Sequence, residues 1–369
     1  MVGETTHLER GRDLPALTGV RAVAALGVFV SHIVWILPER RGAVSGSLQI
    51  EQVLEWGRHG VTLFFVLSGF ILTWTAGPSV ATGRFLRKRF ARVWPNHAVV
   101  WLAFVVLGAV GVTTALPDLP AMVTSLLLVQ TWVPGQGWAN AVNGVAWTLS
   151  CEAFFYLAFP FLLPVLRRCD DRQAAALGVA ALGGGTLLNV VYLAPQGIEV
   201  STFPPFRIWE FVIGMVLGEL FRRGAIRRTF PVGGPLVLLV VALAAADLVD
   251  ALSGIATPAV AVAVTAILAR LVAGDLDGTR RGRGLRSARA GHAGQISYAF
   301  YLVQILPLEV MKWVAGSDPS GALERLGWGL VWFTVTVAAA EGLHRFVEQP
   351  ALRSITGTRG AGRPVPSAL

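Results

Sequence analysis

The sequence predicts an all-α fold, a polytopic membrane helical bundle of about ten transmembrane helices plus one short re-entrant or interfacial segment. Of the 369 residues, 54% are hydrophobic and only 14% are charged, against roughly 45–50% and 25% in soluble domains. Apolar runs long enough to cross about 30 Å of hydrocarbon recur along the chain. The arginines gather between those runs, where cytoplasmic loops of membrane proteins keep them. A net charge of +9 and a pI near 10.6 would suggest nucleic acid for a soluble protein, but this placement of the charge argues against such a partner. Lys88 and Lys312 are the only lysines, and the bias to arginine, alanine, glycine and valine is what a high-GC bacterial genome tends to encode.

Taken in order, residues 1–16 carry Glu4, Glu9, Arg10, Arg12 and Asp13. The apolar run after them is too long for a signal peptide and lacks a small-residue cleavage site, so this segment is expected to stay on the protein, on the cytoplasmic side. Spans are predicted at 17–38, 57–76, 94–113, 147–166, 173–194, 204–221, 232–249, 255–273, 295–315 and 326–347. Residues 120–133 (PAMVTSLLLVQTWV) are apolar but short for a crossing. If they do not cross, the basic clusters at 77–93, 167–172, 222–231 and 274–294 all fall inside, with Arg40, Arg41 and Arg58 the outer exceptions. Both termini are then cytoplasmic, in a bacterial inner (plasma) membrane. The transmembrane domain is expected to occupy 17–350 and a disordered tail 351–369, where Gly, Pro and Ser are frequent. The Gly- and Arg-rich segment 274–294 is likewise expected to lack regular structure. Cys151 and Cys169 form no recognisable disulfide or metal pattern, so no metal site is expected.

Arg21 and His32 interrupt the first apolar run. Their spacing of just over three helical turns puts them on one face, about 16 Å apart along the axis. Ionisable groups in lipid are costly and mark a polar interior; the bland alternative is an arginine that snorkels to headgroups and a histidine satisfied within the bundle. In RFLRKRFARVWP (84–95), Arg89 and Arg92 are three apart and hence neighbours on a helix. Guanidinium forks suit phosphate, although a plain topology signal reads the same way. Acidic residues near the spans are Glu152, Glu210, Glu309, Glu341 and Glu348. Glu152 lies in AWTLSCEAFFYL, where Trp147, Thr148 and Ser150 precede it and Tyr156 follows one turn later. Its expected depth is that of His32, whereas Glu348 is expected at the arginine end. The glycines of SGF (68–70) and of span 204–221 fit close helix packing. Walker A, GxSxG, HExxH and GxGxxG signatures are absent, so ATP hydrolysis, serine-hydrolase chemistry, zinc proteolysis and dinucleotide binding lack support.

Six segments in order, LPALTGVRAVAALGVFVSH (14–32), GVTLFFVLSGFILTW (60–74), FLRKRFARVWPNH (85–97), AWTLSCEAFFYLAFP (146–160), ISYAFYL (296–302) and HRFVEQP (344–350), resemble the acyltransferase-3 family of integral membrane acyltransferases. Within it, LPALTGVR, RVWPNH and SCEAFFYLAFP look most like the actinobacterial branch of macrolide O-acyltransferases. The family's arginine-to-histidine spacing matches Arg21 and His32, its arginines match Arg89 and Arg92, its acidic residue matches Glu152, and its late glutamate resembles Glu348. Many members carry a histidine where this chain has Gln304, which puts proton transfer at that position in doubt.

The resemblance implies transfer of an acyl group, acetyl or another short acyl, from acyl-CoA to a hydroxyl. Acyl-CoA is then a co-substrate, with no tightly bound cofactor. Arg21, Arg89 and Arg92 would bind the donor's phosphates. His32, of a residue type with an ordinary pKa of about 6.5, would serve as general base, with Glu152 orienting its ring; an acyl-histidine intermediate is the covalent alternative. Trp147, Ser150 and Tyr156 would contact the acceptor, expected to be a small lipophilic molecule such as a macrolide or other polyketide, in contact with membrane lipid. Two other readings remain open: O-acetylation of a cell-surface polysaccharide or lipid-linked sugar, and a secondary transporter, against which stands the lack of a detectable repeat.

Overall fold

The computed structural model describes residues 13–36, 50–113, 115–133, 137–193, 201–226, 231, 233–248, 254–278, 283–317, 319 and 321–356. Among these, helices account for all regular structure: α1 (Pro15–His32), α2 (Ile50–Glu55), α3 (Gly60–Thr75), α4 (Thr82–Ala109), α5 (Leu119–Leu126), α6 (Trp147–Arg168), α7 (Asp171–Leu188), α8 (Ile208–Arg222), α9 (Gly233–Leu248), α10 (Ala256–Leu276), α11 (Ala288–Val303), α12 (Ile305–Ala315), α13 (Ala322–Leu343) and α14 (Gln349–Thr356). Six stretches are long and apolar enough to cross a membrane: Pro15–His32, Thr82–Ala109, Trp147–Arg168, Asp171–Val191, Ala256–Leu276 and Leu323–Ile355. The remaining predicted spans fold as helices of 16 (α3), 15 (α8), 16 (α9), 16 (α11) and 11 (α12) residues.

Three boundaries differ from the sequence expectation. The basic run 84–93 is helix rather than loop, because Arg and Lys are good helix formers and neither Gly nor Pro occurs from Arg84 to Trp94. At 28 residues, α4 is about 42 Å long, and its exposed Arg84 and Arg87 turns project beyond a hydrocarbon core of about 30 Å. The segment 274–294 is helical at both ends, with α11 begun by Ser287, whose hydroxyl accepts from the Ala290 N–H at 3.2 Å. The predicted tail is helical to Thr356, since α14 lays buried Leu352 along α4. Residues 1–12 and 357–369, Arg40, Arg41, Arg227, Arg228, Arg280 and Arg281 lie outside the described residues.

Glycine sets the closest packing. A Cβ at Gly69 would stand 2.0 Å from the Phe211 carbonyl oxygen, and one at Gly214 would stand 1.9 Å from that of Val66, so α3 and α8 meet backbone to backbone. Gly294 of α11 approaches the Thr18 carbonyl of α1 in the same way, with 1.9 Å left for a Cβ. The short α5, about 12 Å long at eight residues, cannot cross a bilayer. Two residues beyond its end Leu128 stands at φ 60, and the chain brings Thr131 to α6.

Candidate active site

The N-terminus of α1 is fixed by Asp275, which accepts the Ala16 N–H at 3.0 Å and the Arg286 Nε at 2.6 Å. A carboxylate there complements the exposed N–H groups of the first turn. Two turns later Arg21 enters the bundle, within electrostatic reach of Arg92, Glu348, Glu152 and Tyr156. From α4, Arg89, Arg92 and Asn96 lie along one helical face. Arg92 Nη1 pairs with Glu348, which also accepts from Asn96 Nδ2 at 3.3 Å and bonds His344 Nδ1 at 3.1 Å. His344 and Glu348 bound a single wider π-type turn between α13 and α14; such turns recur at functional sites, and this one carries a carboxylate to Arg92. From α6, Glu152 accepts the Tyr156 hydroxyl at 2.9 Å. The Arg89 guanidinium lies 5.6 Å from the Phe85 ring centre and 5.9 Å from that of Tyr156, within cation–π range.

Three guanidinium groups thus share a buried space with two carboxylates, which leaves one positive charge over. Two of their nitrogens, Arg89 Nε and Arg92 Nη2, are buried with no hydrogen-bond partner among the described residues. Buried donors are nearly always satisfied. Donors of this kind suit the paired oxygens of a carboxylate or phosphate.

His32 is elsewhere, at the far end of α1. Its Nδ1 lies 3.4 Å from Gln304 Oε1. Gln304 is fully buried, and its Nε2 donates to the Tyr301 carbonyl at 3.0 Å. The expected contact between Glu152 and His32 is not made: Glu152 bonds Tyr156 and feels Arg21, Arg89 and Arg92. Both Glu152 and Glu348 belong to the arginine cluster, because α6 packs on α4 and brings Glu152 within electrostatic reach of Arg21, Arg89 and Arg92. Ser150, expected to touch an acceptor, is wholly buried; its hydroxyl donates to the Leu128 carbonyl and accepts from Thr131 Oγ1 at 2.8 Å. It ties the 119–133 segment to α6. Trp147 packs edge-on to Phe65, with ring centres 6.3 Å apart, and lies 5.8 Å from the Arg207 guanidinium. Arg207 makes a two-pronged pair with Glu210, Nε at 2.7 Å and Nη2 at 3.0 Å. Glu341 pairs with Arg345 and with His292 at 2.9 Å on the exposed side of α13, outside the cluster.

Asn96, His344 and Tyr298 were not singled out by residue type alone. Asn96 and His344 had a readable signal: one lies seven residues from Arg89 and the other four from Glu348, which are same-face spacings. Tyr298 stands in ISYAFYL, but nothing in that motif names its partner, since only the meeting of α11 with α4 brings its hydroxyl to the Val93 carbonyl, at 2.8 Å.

An apolar helical bundle with arginines, paired carboxylates and a histidine inside it is the class of integral membrane protein, and ionisable groups held within such a bundle mark a polar interior. The family model described as an acyltransferase domain matches residues 14–340, and the chain belongs to the acyltransferase-3 family. It is similar to Acyltransferase MdmB of Streptomyces mycarofaciens, 31% identical over 96% of this chain and 95% of that protein. Exopolysaccharide production protein ExoZ of Rhizobium meliloti is 28% identical over 85% of this chain and 93% of that protein. O-acetyltransferase OatA of Staphylococcus aureus is 23% identical over 59% of this chain and 36% of that protein. No solved structure matches the chain.

Proposed function

We propose that this acyltransferase moves an acetyl or other short acyl group from acyl-CoA to a hydroxyl of a small lipophilic acceptor such as a macrolide or other polyketide. The observation that carries the donor is the arginine cluster, with its surplus positive charge and, among the described residues, two buried donors without a hydrogen-bond partner, Arg89 Nε and Arg92 Nη2. Phosphates of the donor's nucleotide end would satisfy those nitrogens bidentately, with Arg21 adding charge from the first helix. His32, about 16 Å further along α1, would meet the thioester at the end of the extended pantetheine arm. As general base it takes the acceptor hydroxyl's proton while that oxygen forms a bond to the thioester carbon. The carbon–sulfur bond then breaks, and the imidazolium returns the proton to the departing thiolate. Glu152 serves the arginines, holding their charge and orienting the Tyr156 ring beneath Arg89. No tightly bound cofactor or metal is part of this reading.

The lipophilic acceptor is supported by motif resemblance to the macrolide branch and by end-to-end similarity to a Streptomyces acyltransferase. A second reading, O-acetylation of a cell-surface polysaccharide or lipid-linked sugar, is favoured by similarity to an exopolysaccharide production protein over most of both chains. We also propose about ten crossings of the bacterial inner membrane with both termini cytoplasmic, on the strength of the basic clusters. The deciding experiment gives purified protein in detergent radiolabelled acetyl-CoA and longer acyl-CoAs, with a macrolide and a sugar as acceptors. Release of free CoA thiol together with label on the macrolide is expected. Label on the sugar alone would favour the second reading, and neither product would overturn the acyl-CoA assignment. A secondary transporter would release no thiol.

A further inference from the structure

Pro307 breaks the helix that faces the end of α1. Proline has no N–H to give the Val303 carbonyl and crowds it, and the chain divides there into α11 and α12 with Gln304 at the junction. The Gln304 carbonyl oxygen accepts from Trp332 Nε1 at 2.6 Å, and its side-chain Nε2 donates to the Tyr301 carbonyl at 3.0 Å. A carbonyl can only accept, so this second bond decides which way the amide points. The NH2 group faces Tyr301, and the oxygen faces His32 Nδ1 at 3.4 Å. An amide oxygen in turn can only accept, so the ring nitrogen opposite it must carry a proton.

We propose that Gln304 is a positioning residue that holds His32 in the tautomer with hydrogen on Nδ1, leaving the basic lone pair on Nε2. The sequence suggested a carboxylate behind the histidine, and the structure puts a neutral amide there. An amide selects the tautomer and aims the ring, yet it neither takes the proton nor neutralises an imidazolium. The group that faces Nδ1 is itself anchored at two points, its backbone carbonyl on Trp332 and its side-chain amide on the Tyr301 carbonyl. The catalytic consequence rests on the general-base role proposed above for His32, but the tautomer does not.

The two are separable by experiment. Full-length protein with ring-15N histidine is observed in detergent at neutral pH, and His32 is identified among the six histidines as the signal lost in His32→Ala. The expected spectrum has a protonated Nδ1 and an unprotonated Nε2. Gln304→Leu should give a mixture of tautomers, and Gln304→Glu, which keeps an acceptor oxygen, should restore a single one. With acetyl-CoA as donor, Gln304→Leu should lower kcat roughly ten-fold or more, part of the ~10²–10⁴ a general base contributes, with KM for the donor unchanged. A proton on Nε2 in the parent protein would overturn the proposal even if no Gln304 variant folds, as would an unaltered tautomer in a folded Gln304→Leu. If the tautomer is as expected and His32→Ala keeps full transfer activity, the general-base reading falls and the tautomer assignment stands.

Discussion

His32 and Arg92 sit in contrasting surroundings, one facing a neutral amide and the other a carboxylate. His32→Ala should abolish acyl transfer, a loss of about 10²–10⁴-fold in kcat, while the protein inserts and elutes as the parent does. Retained activity in that variant would sink the general-base mechanism. Arg92 is held by Glu348, which also bonds Asn96 and His344. Removing that carboxylate leaves a buried guanidinium uncompensated, so Glu348→Ala should lower stability by about 3–5 kcal/mol. A thermal unfolding midpoint in detergent measures this. Arg92→Lys keeps the charge but loses the fork, and should raise the acyl-CoA KM far more than it lowers the unfolding midpoint. Ser150 is the contrasting case. Because its hydroxyl is spent on Leu128 and Thr131, Ser150→Ala should cost roughly 1 kcal/mol of stability and leave the acceptor KM unchanged.

At the scale of elements, the pairing of α3 with α8 shows how local composition sets tertiary distance. Gly69 and Gly214 admit the opposite backbone to distances no Cβ tolerates, and Arg207, just before α8, pairs with Glu210 in its first turn and lies over the Phe65 ring. Gly69→Val should force the helices apart and lower the yield of folded protein, seen as aggregation in detergent chromatography. The order of apolar runs was legible because hydrophobic length is a one-dimensional property; 147–166 reappears as α6 (Trp147–Arg168). The basic run that opens α4 falls outside the span predicted at 94–113 because charge suggests solvent, whereas a long helix can carry its charged turns past the hydrocarbon. The break at Gln304 was readable from Pro307, but its position opposite His32 was not.

For the molecule as a whole, family membership and the bundle architecture agree, and the charged groups sort into distinct sites. Arg21, Arg89, Arg92, Glu152 and Glu348 form one, Arg207 with Glu210 another, and Glu219 with Arg222 and Arg223 a third at the other end of α8. By itself the sequence determined an apolar helical chain, the arginine and histidine on one face of α1, and the family, since these follow from composition, from 3.6-residue periodicity and from ordered motifs. Only the tertiary structure decided that Glu152 joins the arginines, that Ser150 is a tether and that Gln304 stands behind His32. Periodicity fixes the face and height of a side chain within its own helix. Which helices turn those faces toward each other depends on close approaches such as Gly294 on Thr18, and these are properties of packed pairs rather than of single segments.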